Sequence, residues 1–199
     1  MKRFIAVIAG LLVVAATLTG CASRGNMASA GWITLVDGGS GLENFLRVGD
    51  ANWREQDGSI VADKGGKETS YLVTRSSFTD FVIYAEFWAS NDANSGVWFR
   101  LSDRLKISSA NAYEAQINDG RTDGYGTGAI AGVAKVSPAL KAGGKWNSFE
   151  ITAKGSQLTV KMNGVTTANI SDRSFFHGPF ALQYGTGIVK FRKVQIKPI

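Results

Sequence analysis

Two carboxylates, Glu86 and Glu114, one guanidinium, Arg100, and the indoles of Trp88 and Trp98 stand in short segments where apolar and polar residues alternate. Side chains two apart on a strand share a face. Tyr84, Glu86 and Trp88 therefore project opposite Ile83, Ala85 and Phe87, and Trp98 and Arg100 project opposite Val97, Phe99 and Leu101. Glu114, Gln116 and Asn118 oppose Ala115 and Ile117, and Gln183 opposes Leu182. If these strands are neighbours, one face is core. The other then gathers Tyr84, Glu86, Trp88, Trp98, Arg100, Glu114, Gln116 and Gln183. Carboxylates accept and a guanidinium donates bidentate hydrogen bonds with sugar hydroxyls, amides do both, and indoles stack on the C–H faces of sugar rings, so the mixture suits a glycoside or oligosaccharide ligand. The plainer alternative is the solvated face of an antiparallel sheet. That alternative accounts for the Glu, Arg and Gln side chains more easily than for two Trp and a Tyr on one side.

The elements that must position these groups are strands. Alternation of period two recurs over 81–88, 96–101, 113–117, 149–153, 158–162 and 189–196, the last with a phase slip near Lys193. Turn signals separate the runs: Asp57-Gly58, Lys64-Gly65-Gly66, Asn91-Asp92, Lys154-Gly155 and Asn163-Gly164. The last two bracket 158–162 and predict a three-stranded meander. No 3.6-residue periodicity is sustained. Many short strands with glycine-rich turns predict an all-β domain, a two-sheet antiparallel jelly-roll sandwich rather than a closed barrel, over residues 31–199. Two long connections, 102–112 and 120–144, are of the length that is often functional or mobile in a compact domain.

The N-terminus is of a different kind. Lys2 and Arg3 precede a nearly all-apolar run from Phe4 to Thr17, too short for a mature transmembrane helix of about 20 residues, and small residues follow. These features predict a signal peptide over 1–21. Its end, Leu18-Thr19-Gly20-Cys21, resembles the lipobox of bacterial lipoproteins, in which the Cys is acylated. Residues 22–30, small and polar, read as a tether. The expectation is a cell-envelope protein, lipid-anchored at Cys21 to a bacterial membrane and facing the periplasm. Cys21 is the single cysteine, so no intramolecular disulfide is available. The net charge of +6 falls to +4 without Lys2 and Arg3, and the basic residues are scattered, which argues against a nucleic-acid partner. No metal-ligand spacing and no nucleophile elbow occurs. The Gly124–Gly132 run lacks the context of a phosphate cradle, and no cofactor is expected. His177 sits in a turn, where packing or capping is its expected role.

A series of short motifs, in this order, resembles the 3-keto-disaccharide hydrolase domain family, a concanavalin-like jelly roll. They are Trp53-Arg54 with Asp57-Gly58, Tyr71-Leu72-Val73-Thr74, Asp80-Phe81 leading to Glu86-Phe87, and Asn94-Ser95-Gly96 with Arg100. Tyr113-Glu114-Ala115-Gln116-Ile117 with Asp119 follows, then Thr127-Gly128-Ala129-Ile130, Lys145-Trp146-Asn147, Asn163-Gly164, Gly178-Pro179 with Leu182-Gln183, and Phe191-Arg192. The resemblance implies cleavage of glycosides oxidised to a ketone at C3. That ketone acidifies the C2 proton, a base removes it, the C1 substituent leaves, and water adds. The reaction needs a base, a proton donor to the leaving oxygen and a group facing the enolate. The resemblance thereby casts Glu86 and Glu114 as base and acid and Arg100 at the enolate. Tyr84, Trp88, Asn94, Trp98, Gln116, Asp119 and Gln183 then bind substrate. Many members follow Leu-Gln with Asp-His-Gly, where this chain has Tyr184-Gly185 after Leu182-Gln183. A non-catalytic carbohydrate-binding lipoprotein using the same face is the alternative, because lectins and glycosidases share this fold.

Overall fold

The computed structural model describes residues 31–199. The signal peptide, Cys21 and the tether lie outside the described residues. Thirteen strands carry the fold: β1 (Ile33–Asp37), β2 (Phe45–Val48), β3 (Arg54–Gln56), β4 (Ser59–Ala62), β5 (Ser70–Thr74), β6 (Phe81–Ala89), β7 (Ser95–Phe99), β8 (Tyr113–Ile117), β9 (Trp146–Lys154), β10 (Gln157–Met162), β11 (Val165–Ser171), β12 (Ala181–Tyr184) and β13 (Val189–Pro198). They form two antiparallel sheets. One has eight strands in the order β11-β10-β9-β6-β13-β4-β3, with β1 added to β13; the other has five, in the order β2-β5-β12-β7-β8. This is the expected jelly-roll sandwich.

Alternation sets the packing. Phe81, Ile83, Ala85 and Phe87 of β6 and Phe149, Ile151 and Ala153 of β9 are buried, and the Phe87 and Phe149 rings pack tilted with centroids 4.7 Å apart. From the other sheet Leu72, Val97, Phe99, Ala115, Ile117 and Leu182 meet them in one continuous core. Each large side chain withdrawn from water here contributes about 1.5–3 kcal/mol. The meander β9-β10-β11 forms as the turn residues require. Asn163 and Gly164 both take positive φ, 51° and 81°, the conformation of a tight two-residue hairpin turn. The phase slip in β13 is a bulge: pairing with β6 skips between Phe191 and Lys193, so Phe191 and Val194 both point inward.

The strand assignment changes the face on which residues meet. β6 ends at Ala89 and β7 begins at Ser95 in the opposite sheet. Parity fixes which way a side chain points relative to its own sheet, but a sandwich has two outer faces about 10 Å of core apart. Tyr84, Glu86 and Trp88 lie on the outer face of the eight-stranded sheet. Trp98, Glu114, Gln116 and Gln183 lie on the outer face of the five-stranded one.

Candidate functional site

Cross-strand register builds the site on the five-stranded sheet. Trp98 of β7 faces Glu114 of β8 on one side and Ala181 of β12 on the other. Gln183 of β12 faces Tyr71 of β5, and Gly96 of β7 faces Gln116 of β8. Two adjacent rows thus present Glu114 beside Trp98, and Gln116, Gly96, Gln183 and Tyr71 in line. Gly96 has a specific reason to be glycine, because a Cβ there would sit 2.6 Å from Glu114 Oε1. The missing side chain is the space into which the carboxyl leans.

Three polar groups in this floor lack partners. Trp98 Nε1 and Gln183 Oε1 are buried and make no hydrogen bond. Glu114 is 7 % exposed, and burial pushes its carboxyl up to about 8, opposed only by the positive charge of Arg121. A buried carboxyl without a donor prefers its neutral form, so Glu114 holds its proton at neutral pH. Tyr71 is pushed up to about 12, first by burial and then by Glu114. Arg121 is oriented by Asp123, at 2.5 Å. Unpaired buried donors and acceptors are rare and costly, and two of them, Trp98 Nε1 and Gln183 Oε1, stand on this patch beside Glu114; a third, Trp53 Nε1, lies in the main core.

Residues 102–112 cross the floor as a strap. Leu101, Ala112 and Ile107 pack on Tyr71, Val73, Trp98 and Ala181, a second small core outside the sandwich. Arg104 pins the strap, donating to the carbonyls of Thr74 and Arg75 and to Ser77 Oγ at 2.9–3.0 Å. A cleft of about 390 Å³ opens between the strap (Leu105, Lys106, Ile107) and the β2–β5 edge, with Tyr71 in its wall. Its size is that of a small-ligand pocket.

Other residues expected at the site stand elsewhere. Arg100 follows β7 with φ 56°, which turns its side chain out of the alternation into the end of the sandwich. It is fully buried and donates to Thr79 O, Gly155 O, Phe175 O and Asp80 at 2.7–3.1 Å. It knits three chain reversals together and faces no cleft. Glu86 accepts from Arg192 Nε at 2.6 Å and from the Tyr84 hydroxyl at 2.8 Å on the opposite sheet. Trp88 lies beside Lys190 there. Asp119 is consumed by structure: it accepts from Thr127 Oγ1 and from the amides of Ala142 and Gly143, closing the long connection onto itself. Asn94 sits at the rim, one row beyond Gln116, and accepts from Asn118 Nδ2 at 3.2 Å. The single expected surface is therefore two. Trp98, Glu114, Gln116 and Gln183 meet on one, with Asn94 at its rim, whereas Tyr84, Glu86 and Trp88 share the other.

The sequence reading did not single out Tyr71 or Arg121. All of β5 is buried, so the five residues around Tyr71 show no alternation to read. Arg121 rides on a connection without periodicity.

Fold and site together define a jelly-roll domain with a polar, aromatic-walled floor of the kind that handles carbohydrate. The chain belongs to the 3-keto-alpha-glucoside-1,2-lyase-like domain family, which matches residues 31–197. No curated protein matches the sequence. Among solved structures, a Parabacteroides distasonis protein provisionally described as a glycosyl hydrolase is 24% identical with a TM-score of 0.68, over 84% of this chain and 99% of that one. The carbohydrate-binding module CBM66 from Bacillus subtilis superposes with a TM-score of 0.56 at 15% identity, over 84% of this chain and 95% of that one. A Bacillus subtilis protein of unknown function with a galectin-like fold reaches 0.65 at 10% identity, over 82% and 93%. At these identities the likeness is one of fold. The family and the fold support a carbohydrate-related role.

Proposed function

We propose that the chain cleaves glycosides bearing a ketone at C3, on the outer face of the five-stranded sheet, with Glu114 moving the proton. The observation that carries this reading is the unpaired, nearly buried Glu114 between Trp98 and the small residue Gly96. A carboxyl titrating near neutrality is both a stronger base than an ordinary carboxylate and a competent donor. With one carboxyl on the floor, elimination runs on one face of the sugar. The ionised form of Glu114, the minority form at neutral pH, takes the C2 proton, the C2–C1 double bond forms as the C1–O bond breaks, and the same proton passes to the departing oxygen. In this reading the Trp98 indole N–H would donate to the enolate oxygen and the Gln183 and Gln116 amides would take ring hydroxyls. Water adds across the double bond afterwards.

The measurement is incubation of purified protein with matched 3-keto and unoxidised disaccharides, read by mass spectrometry for product and for retained ligand. Cleavage of the keto sugars alone, abolished in Glu114→Gln, is the expected result. Undiminished turnover in Glu114→Gln refutes the assignment. One observation favours a second reading: Glu86, the expected partner carboxylate, stands on the other sheet and does not join Glu114. Retention of sugar without cleavage, weakened in Trp98→Ala, would identify a binding module.

A further inference from the structure

We propose that the outer face of the eight-stranded sheet is a docking surface for anionic lipid headgroups, laying the domain on its membrane with the outer face of the five-stranded sheet turned away. Trp88 and Trp146 are direct cross-strand partners, and Lys190 continues their row. The Lys190 ammonium lies 5.0 Å from the Trp88 ring and the Arg192 guanidinium 4.4 Å from the Trp146 ring. Trp146 is 37% exposed. The rest of the face is basic. Three of its carboxylates are ion-paired, Glu86 by Arg192, Glu150 by Lys161 and Asp63 by Arg54, while exposed Asp37 stands opposite Lys193. Lys154, Lys190 and Lys197 point outward with no salt bridge among the described residues, and Lys193 lies between Glu86 and Asp37 in register. Indoles flanked by unneutralised lysines fit the boundary layer of an anionic bilayer, where amphipathic rings settle at headgroup depth and basic side chains meet lipid phosphates.

The chain entry points to the same occupant. Gly31, the first described residue, lies against Lys197: a Cβ on Gly31 would stand 3.4 Å from Lys197 Cε. Lys197 faces Val82 on this outer surface. Nine residues separate Gly31 from Cys21, and fully extended they reach about 30 Å. A lipid on Cys21, expected from the sequence, would hold this face within that distance of the bilayer. The proposal does not depend on what the cleft does to sugars.

The test uses the full chain, acylated or not, with vesicles of phosphatidylcholine alone or mixed with phosphatidylglycerol, each containing brominated lipids that quench nearby indoles. Expected are at least twofold stronger quenching in anionic than in neutral vesicles, and loss of that excess in 0.5 M salt, on the order of where screening shortens to a few ångströms. The excess should also vanish in Trp88→Phe/Trp146→Phe. It should fall at least twofold in Lys190→Gln/Lys193→Gln, which keeps both indoles and so reports the charge alone. Trp32, half-buried beside the chain entry, is replaced by Phe in every protein compared, so that buried Trp53 and Trp98 supply the constant background. Equal quenching in both vesicle types overturns the proposal, as does an excess that survives the double Phe replacement. Quenching absent from vesicles but Trp88 shielded by an added anionic polysaccharide would make the face a glycan surface instead.

Discussion

Replacing Glu114 by Gln removes a titrating proton from a buried site while keeping nearly the same volume, so its effect on stability should appear as a pH dependence. In the folded chain the carboxyl titrates at about 8 against an ordinary value of 4.5, because burial penalises its charge. A pKa raised on folding means the folded state holds the proton more tightly. The associated stability is fully present below pH 4.5 and is lost as pH rises through 8. At about 1.4 kcal/mol per pH unit, the span corresponds to a loss on the order of 4 kcal/mol between pH 4.5 and pH 9. Urea unfolding of both proteins at closely spaced pH values would measure it. Other carboxyls, such as Asp63 and Asp123, both held down to about 2 by their arginines, titrate identically in both proteins and cancel in the difference. The difference curve should be flat below pH 4.5 and should swing in favour of the Gln variant above it. Parallel curves across pH 5–9 would show that Glu114 ionises without penalty, and the account of its carboxyl as proton-holding would fail with it.

Arg100→Ala should destabilise the fold by about 3–5 kcal/mol in urea unfolding, because it leaves the Thr79, Gly155 and Phe175 carbonyls without their donor; sugar binding by the folded fraction should not change. Gly96→Ala should cost about 1–3 kcal/mol and push the Glu114 carboxyl toward water, given the 2.6 Å approach; NMR titration should then find its pKa moved toward 4.5, with sugar binding weakened. Asp119→Asn should cost about 1–2 kcal/mol and speed proteolysis within 120–144, since the carboxylate gathers the Ala142 and Gly143 amides.

What the sequence discloses is local. Alternation in β6, β8 and β10 assigns inward and outward residues correctly, and the turn chemistry of Asn163-Gly164 forecasts a hairpin. Sheet membership is not local: nothing in residues 81–99 tells that Ala89 to Ser95 carries the chain from one sheet to the other. The six residues of Glu86 to Asn91 look like any strand end. The site reading therefore merged two outer faces into one. Arg100 escaped for a second reason, since alternation presumes extended backbone and a residue at φ 56° leaves it. Glu114, Gln116, Trp98 and Gln183 were recoverable because their strands share a sheet. Tyr71 was not, because a strap distant in sequence covers the face on which it stands.

That strap has a further consequence. Val73 and Ala181 are fully buried although they point away from the sandwich, so residues 102–112 give one end of the molecule a third layer. A shortened connection would leave a greasy ledge next to the cleft, open to self-association, and would free the Trp98 ring to rock. Variation in this segment is thus constrained from beneath: its tip, where Leu105 stands free, can drift in sequence, while its underside must keep matching the ledge.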